Sequence, residues 1–160
     1  MTWPVYVSVC GSGDAAPEVA ALAEEVGSRL AAANAVVVCG GLGGVMEAVC
    51  KGARSAGGTT VGILPGSDRS EANDFVDVAL PTGLGESRNA LIARAADALI
   101  AIRGEFGTLS EVGFALKIGT PVVGLDTWEL HRGGEVVRAI NPATTPAEAV
   151  DLALRLARGA

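Results

Sequence analysis

The chain has 160 residues, of which 49% are hydrophobic, 19% charged and 4% aromatic, with a formal net charge of −6. The length fits one domain, and the acidic balance without a basic stripe argues against a nucleic-acid-binding protein. No apolar stretch reaches the ~18 residues of a membrane span, so we predict no membrane segment. No basic start precedes the first apolar run, so we predict no signal peptide and a cytoplasmic location.

The apolar residues are mainly Ala, Val, Leu and Ile, and the mean hydropathy is +0.41. This composition is typical of a parallel sheet covered by helices on both faces, or of a domain that is partly covered by a second subunit. The cysteines are Cys10, Cys39 and Cys50, an odd number without CxxC spacing. We predict free, buried thiols rather than disulfides or a zinc site.

Strand and helix patterns alternate along the chain. In order, the sequence predicts a strand over residues 3–9, a helix from Pro17 to Asn34, a strand over 35–39, a helix to about Ala56, and a strand over 59–64. A loop over 67–74, a strand over 75–80, a helix over 85–96, a strand over 97–102, a helix from Thr108 to Ile118 and a strand over 121–125 follow. The end is predicted as a loop over 126–135, a short strand over 136–140 and a helix from Pro146. This alternation predicts a doubly wound, Rossmann-like parallel sheet.

Glycine-rich segments follow three of these strands, at Gly11 to Gly13, at Gly40 to Gly44, and at Gly104 to Gly107. The carboxyl ends of parallel strands share one edge of a sheet, where ligands bind. Glycine there lets backbone N–H groups approach a phosphate, although it also simply makes tight turns. Three such loops on one edge favour an anion site.

The first loop, residues 11–16, fits the pattern G-x-G-x-x-A. A dinucleotide site also needs an acidic residue at the end of the second strand, to bind the ribose. That strand ends in Val38-Cys39-Gly40, so NAD and FAD are not predicted.

Thr108 and Glu111 stand three residues apart at the start of a predicted helix. They could form a capping box, or Thr108 and the helix N-terminus could bind phosphate while Glu111 faces the ligand. Arg88, in the first turn of its helix, opposes the helix dipole, which either a bound anion or a solvated side chain would explain. Arg103 has the same two interpretations. Glu47 is explained by the dipole of its own helix.

These residues together resemble the LOG (Lonely Guy) family, long mislabelled "lysine decarboxylase", and most of all its branch with molybdenum-cofactor carrier proteins and uncharacterised Rossmann-like proteins. The resemblance covers nearly the whole chain. Residues 40–46, which end at Met46, match the family's glycine-rich stretch, residues 62–65 match its third strand, and residues 103–111 match its PGGxGTxxE motif. Pyridoxal-phosphate chemistry needs a Schiff-base lysine, and Lys51 and Lys117 both lie away from the glycine loops, so the old name is rejected.

The resemblance implies one three-layer α/β/α domain over residues 1–160, with Arg88 and Glu111 as catalytic residues. The implied reaction cleaves a nucleoside 5′-monophosphate to free base and ribose 5-phosphate, without a required cofactor. The residues implied to bind the ligand and its phosphate are Gly11, Ser12, Gly13, Gly40, Gly41, Gly43, Gly44, Met46, Gly104, Gly107 and Thr108. The chain departs from the motif at Arg103 and Glu105, which replace a proline and a glycine, and at Asn89, which replaces a basic residue.

Three hypotheses follow. In the first, the chain is a phosphoribohydrolase. In the second, it is a non-catalytic carrier or sensor for molybdenum cofactor or a nucleotide. In the third, it handles DNA, as the related DNA-processing protein A family does, but the acidic net charge disfavours this hypothesis. The composition and the resemblance also predict a homodimer or a higher homo-oligomer. The single histidine, His131, is assigned no role, and no metal site is predicted.

Overall fold

The computed structural model describes residues 2–159. Its helices and strands follow the predicted alternation: β1 (Tyr6–Gly11), α1 (Pro17–Ala32), β2 (Val36–Cys39), α2 (Val45–Ser55), β3 (Thr60–Leu64), β4 (Val78–Pro81), α3 (Asn89–Arg94), β5 (Ala98–Ile102), α4 (Phe106–Ile118), β6 (Val122–Leu125), β7 (Leu130–Arg132), β8 (Glu135–Val137), β9 (Ile140–Ala143) and α5 (Pro146–Ala157). No helix within residues 2–159 is long and apolar enough to cross a membrane.

Seven strands form one parallel sheet in the order β4-β3-β2-β1-β5-β6-β9. The chain builds the sheet outward from β1 to β4 and then returns to the other side of β1 with β5. Val7 in β1 therefore lies between Val37 in β2 and Ala98 in β5. The predicted doubly wound, three-layer α/β fold is confirmed, and its topological switch point lies between β1 and β5.

Helices cover both faces of this sheet. Helices α1, α2 and α5 pack on one face around a large apolar core, and α3 and α4 pack on the other around a smaller one that includes Cys10, Leu99 and Val112. All five residues of β5 are buried, as expected for a strand covered on both sides. The three cysteines are free and buried, as predicted.

Two predicted elements differ in the structure. The single final strand over residues 136–140 is wrong, because residues 135–137 form the antiparallel partner of β7, and β9 begins only at Ile140. Gly133 and Gly134 both have positive φ, which suits the tight turn between β7 and β8. The helix over residues 85–96 is divided into a 3-10 turn, Gly85–Arg88, and α3, and a further 3-10 turn, Arg69–Glu71, lies in the predicted loop over 67–74.

Glycines allow α1 and α2 to cross closely. A Cβ at Gly52 would lie 1.9 Å from the carbonyl oxygen of Glu24, and a Cβ at Gly27 would lie 2.0 Å from that of Val49. Because these neighbours are backbone atoms, a side chain can be accommodated only if the helices move apart.

We therefore expect Gly52→Ala to lower the free energy of unfolding by about 1–3 kcal/mol, the usual effect of overpacking a core. Gly113→Ala is the matched control, since Gly113 also lies within a helix but has open space around its Cβ position. The control is expected to raise stability by up to about 1 kcal/mol through helix propensity alone. Urea unfolding of both variants measures this, and equal stabilities would contradict the close crossing.

Candidate functional site

A cavity of about 730 Å³ opens at the carboxyl edge of the sheet, beside the switch point between β1 and β5. It is lined by residues from all three glycine loops, from the start of α2, from just after β3, from the segment before α3 and from α4. Its lining residues are Gly11, Gly13, Leu42, Met46, Pro65, Glu86, Ser87, Arg88, Asn89, Phe106, Gly107, Thr108, Ser110, Glu111 and Phe114. The topology thus brings together residues as far apart in sequence as Gly11 and Phe114.

Arg88 is buried, with only 8% of its surface exposed. Its Nε donates to the carbonyl oxygen of Ile63 at 2.9 Å, Nη2 donates to that of Gly40 at 3.4 Å, and Nη1 donates to Oδ1 of Asn89. The interpretation of Arg88 as a solvated surface side chain is therefore wrong. Since a guanidinium has five N–H donors, two remain for a ligand in the cavity.

Glu111 is also buried, with 7% of its surface exposed. Burial raises the pKa of its carboxyl group to about 7, although the positive charge of Arg88 and a hydrogen bond with Cys10 act in the opposite direction. Among residues 2–159, no ion pair within 4.0 Å joins Arg88 to Glu111. Glu111 is therefore a carboxyl group that can exchange a proton near neutral pH.

The N-terminus of α4 has no side-chain cap. The helix begins at Phe106 rather than near Thr108, and its N-cap residue, Glu105, makes no capping hydrogen bond. Thr108 and Glu111 are therefore the third and sixth residues of the helix, and the capping-box interpretation is wrong. A threonine cap occurs instead at α5, where Thr145 Oγ1 accepts from the N–H of Glu148 at 3.1 Å. The first N–H groups of α4 lack helical partners and lie beside the cavity, which suits an anion.

The second glycine loop packs against two residues that line the cavity, Arg88 and Met46. A Cβ at Gly40 would lie 2.6 Å from both Arg88 Nη2 and Met46 Sδ, so glycine is needed for the guanidinium to reach its position. Gly44, which precedes α2, has φ +63° and ψ −127°, a conformation that is essentially restricted to glycine.

Asn89 links Arg88 to helix α4. It accepts from Arg88, and its own Nδ2 donates to Ser110 Oγ at 3.0 Å, while Ser110 Oγ donates to the carbonyl oxygen of Gly107 at 2.7 Å. The network connects the guanidinium to the first two turns of α4. It also leaves Arg88 as the one cationic side chain among those that line this cavity within the described part of the chain.

The structure gathers most of the predicted site residues. Seven of them line the cavity: Gly11, Gly13, Met46, Arg88, Gly107, Thr108 and Glu111. The other six lie in the three glycine loops but are not part of the lining: Ser12, Gly40, Gly41, Gly43, Gly44 and Gly104. Lys51 pairs with Glu24 at 3.3 Å and is not part of the lining. Phe106, Ser110 and Phe114 also line the cavity but were not predicted, since their only signal was a position inside or just after the 103–111 motif.

The departures at the motif have visible structural effects. Arg103 has a φ of +46°, which a proline ring cannot adopt, and its Nε donates to Asp126 Oδ2 at 2.7 Å. This exposed arginine therefore binds Asp126 rather than a ligand in the 730 Å³ cavity. Glu105 has a φ of −104°, so its side chain adds no backbone strain, and it is exposed.

The chain matches the SLOG cluster4 family over residues 4–150. An uncharacterised protein of Archaeoglobus fulgidus is 40% identical over 92% of this chain and 93% of that protein. The cytokinin riboside 5′-monophosphate phosphoribohydrolase of Mycobacterium tuberculosis is 33% identical over 79% of this chain and 72% of the enzyme.

Solved structures with the same fold cover the chain almost completely. The molybdenum cofactor binding protein of Rippkaea orientalis has a TM-score of 0.87 and 32% identity, over 98% of this chain and 99% of that one. The Moco carrier protein of Chlamydomonas reinhardtii has a TM-score of 0.85 and 33% identity, over 99% of this chain and 100% of that one. DNA processing protein A of Helicobacter pylori has a TM-score of 0.70 and 18% identity, over 95% of this chain and 81% of that one. This is a likeness of fold alone.

Proposed function

Because the chain belongs to the SLOG cluster4 family, we propose that its cavity binds a nucleoside 5′-monophosphate and hydrolyses the N-glycosidic bond to free base and ribose 5-phosphate. The observation that carries this proposal is the pair of buried, oppositely charged side chains, Arg88 and Glu111, that line one cavity at the switch point of the sheet. Burying two such groups without a close ion pair between them costs stability, and costly burial of ionisable groups is typical of functional sites.

The phosphate would bind at the N-terminus of α4. The N–H groups of Gly107 and Thr108 belong to the first turn of α4, which has no side-chain cap. The helix dipole favours a negative charge there. The free N–H groups of Arg88 would hold the ribose phosphate region. Because Arg88 is already fixed by Ile63, Gly40 and Asn89, binding requires little ordering of its side chain.

Glu111 would act on the ribose. In its ionised form the carboxylate takes a proton from water, the water oxygen bonds to C1′, and the electron pair of the glycosidic bond leaves with the base. A carboxylate beside the ring also stabilises the oxocarbenium-like transition state, as in glycoside hydrolysis. A pKa of about 7 supports this role, since the group is substantially ionised at neutral pH yet basic enough to accept a proton.

A second candidate function is binding without turnover. It is favoured by the nearly complete mutual coverage with proteins that carry or bind molybdenum cofactor, compared with 72% coverage of the M. tuberculosis hydrolase. Asn89, a neutral residue beside Arg88, also leaves the cavity with a single cation. In this case the phosphate of the cofactor would occupy the N-terminus of α4, and Glu111 would not take part in a reaction.

Product analysis distinguishes these functions. The wild type and Arg88→Ala are incubated with a panel of nucleoside 5′-monophosphates, including N6-substituted adenosine phosphates, and base and ribose 5-phosphate are separated by chromatography. We expect release by the wild type and its loss in Arg88→Ala. Stoichiometric nucleotide or cofactor binding without release would support the carrier function, and neither release nor binding by the folded protein would contradict both.

We also propose that the chain forms a homodimer through α3 and α4. Leu91, Phe114 and Ile118 are exposed apolar side chains on these two helices. A second copy of the chain would remove this surface from water, which is the main driving force of association. Light scattering measures the mass in solution, and a monomer would contradict the proposal.

A further inference from the structure

We infer that Phe106, packed against Trp128, forms a stacking platform at the mouth of the cavity for the planar ring of the ligand, a heteroaromatic base. The inference rests on the proposed function and adds the part of the site that would recognise the ring. The groups proposed above to bind the phosphate and the sugar are Gly107, Thr108, Arg88 and Glu111, and none of them offers a flat apolar face. A planar base needs an aromatic or apolar face, and stacking on aromatic side chains is a common way for proteins to bind bases.

Phe106 is placed unusually for an aromatic residue. The chain has three phenylalanines, two tryptophans and one tyrosine, and Phe106 is 75% exposed although it lines the cavity that contains Arg88 and Glu111. Burying a phenylalanine is worth about 2 kcal/mol, so this position gives up most of that stabilisation. As the first residue of α4, it directly precedes the Gly107 and Thr108 N–H groups that suit a phosphate, so one ligand can touch all three residues.

Phe106 contacts a second aromatic side chain that is distant in sequence. Its ring centroid lies 5.7 Å from that of Trp128, and the ring planes are inclined by 34°. The indole Nε1 of Trp128 is enclosed but has no hydrogen-bond acceptor within residues 2–159. Leaving a buried donor without an acceptor costs about 1–3 kcal/mol, so the position of Trp128 is not explained by the stability of the fold.

The segment that carries Trp128 is joined to the 103–111 motif by an exposed ion pair and a hydrogen bond. Arg103 and Asp126 form their ion pair at 2.7 Å, and Thr127 Oγ1 donates to the carbonyl oxygen of Arg103 at 2.5 Å. Arg103 and Asp126 both have positive φ, at +46° and +52°. Strained positions of this kind persist only where the surrounding contacts enforce them, and they cluster at ligand sites. Arg103, which departs from the motif, thus joins the end of β5 to the segment that carries Trp128.

The test compares two probes that differ only by the base, AMP and ribose 5-phosphate. Calorimetric titrations use the full chain in a Glu111→Gln background, so that AMP is not consumed. Phe106→Ala and Phe106→Leu are expected to weaken AMP binding by about 5- to 150-fold, the usual contribution of one stacked base, and to leave ribose 5-phosphate binding unchanged. Phe106→Trp retains an aromatic face and is expected to preserve AMP affinity, whereas leucine retains only apolar bulk.

The outcomes separate this inference from the proposed function. Equal weakening of both probes, or no weakening of either, overturns the platform while the phosphate site stands. Failure of both probes to bind before any change at Phe106 overturns the proposed function, and the platform with it. A further explanation for the exposed Phe106 is that a second copy of the chain covers it. Light scattering of Phe106→Ala tests this, and a drop in mass with unchanged AMP affinity also overturns the platform.

Discussion

Replacement of Glu111 by glutamine is expected to reduce the release of base from a nucleoside 5′-monophosphate by about 10²–10⁴-fold, the usual contribution of one general base. Glutamine has nearly the same shape and keeps the hydrogen-bonding capacity of the site, but it cannot accept the proton of the attacking water. Because Arg88 and the N-terminus of α4 are unchanged in this variant, we expect AMP to remain bound while kcat falls. Chromatographic assay and calorimetry of the same preparation measure the two effects.

Glu47→Gln is the matched control for this experiment. Glu47 is an exposed glutamate in the first turn of α2, outside the lining of the cavity. Its loss removes the same charge from a helix N-terminus and should lower stability by no more than about 1 kcal/mol, without affecting kcat. Unchanged release by Glu111→Gln would exclude Glu111 as the base, and similar losses in both variants would indicate a general effect of charge rather than of this carboxyl group.

The fold was largely predictable because its signals are local. Apolar β-branched runs such as residues 35–39 form buried strands, and glycines mark the turns at their carboxyl ends, so that the edge carrying the cavity follows from topology alone. The start of α4 was not predictable in this way. Glu105 provides no capping hydrogen bond, and Thr108, which is a strong cap signal in a sequence, lies inside the helix.

The cavity itself depends on distant contacts that no local pattern encodes. Buried Arg88 donates hydrogen bonds to the carbonyl groups of Gly40 and Ile63, and these residues are 48 and 25 positions away. Trp128 contacts Phe106 because β5 and β6 are adjacent, which brings the segments that follow these two strands together. The 130–137 hairpin was missed because its strands have only three residues each, too short for a periodic pattern.

The stability of the wild type is expected to depend on the ionisation of Glu111, and Glu111→Gln is expected to remove that dependence. The pKa of this carboxyl group is about 7 in the folded chain, compared with an ordinary value of 4.5. Between these values the folded chain binds more protons than the unfolded chain, so the free energy of unfolding falls as the pH rises. The contribution is fully present below pH 4.5 and lost above about pH 7, and it amounts to about 3 kcal/mol.

Urea unfolding of both proteins from pH 5 to pH 8 measures this effect as a difference, in which other titrating groups cancel. Asp68 and Glu148 have lowered pKa values, because backbone N–H groups donate to their carboxylates, and they have the opposite pH dependence in both proteins. Burial raises the pKa of Cys10, so its thiol stays protonated between pH 5 and pH 8. Arg88 stays charged over the same range. The stability of Glu111→Gln relative to the wild type is therefore expected to increase by about 2.5 kcal/mol as the pH rises through this range. A constant difference would mean that Glu111 is already ionised at pH 5, in which case Arg88 compensates for its burial and the carboxylate is too weak a base for the proposed proton transfer.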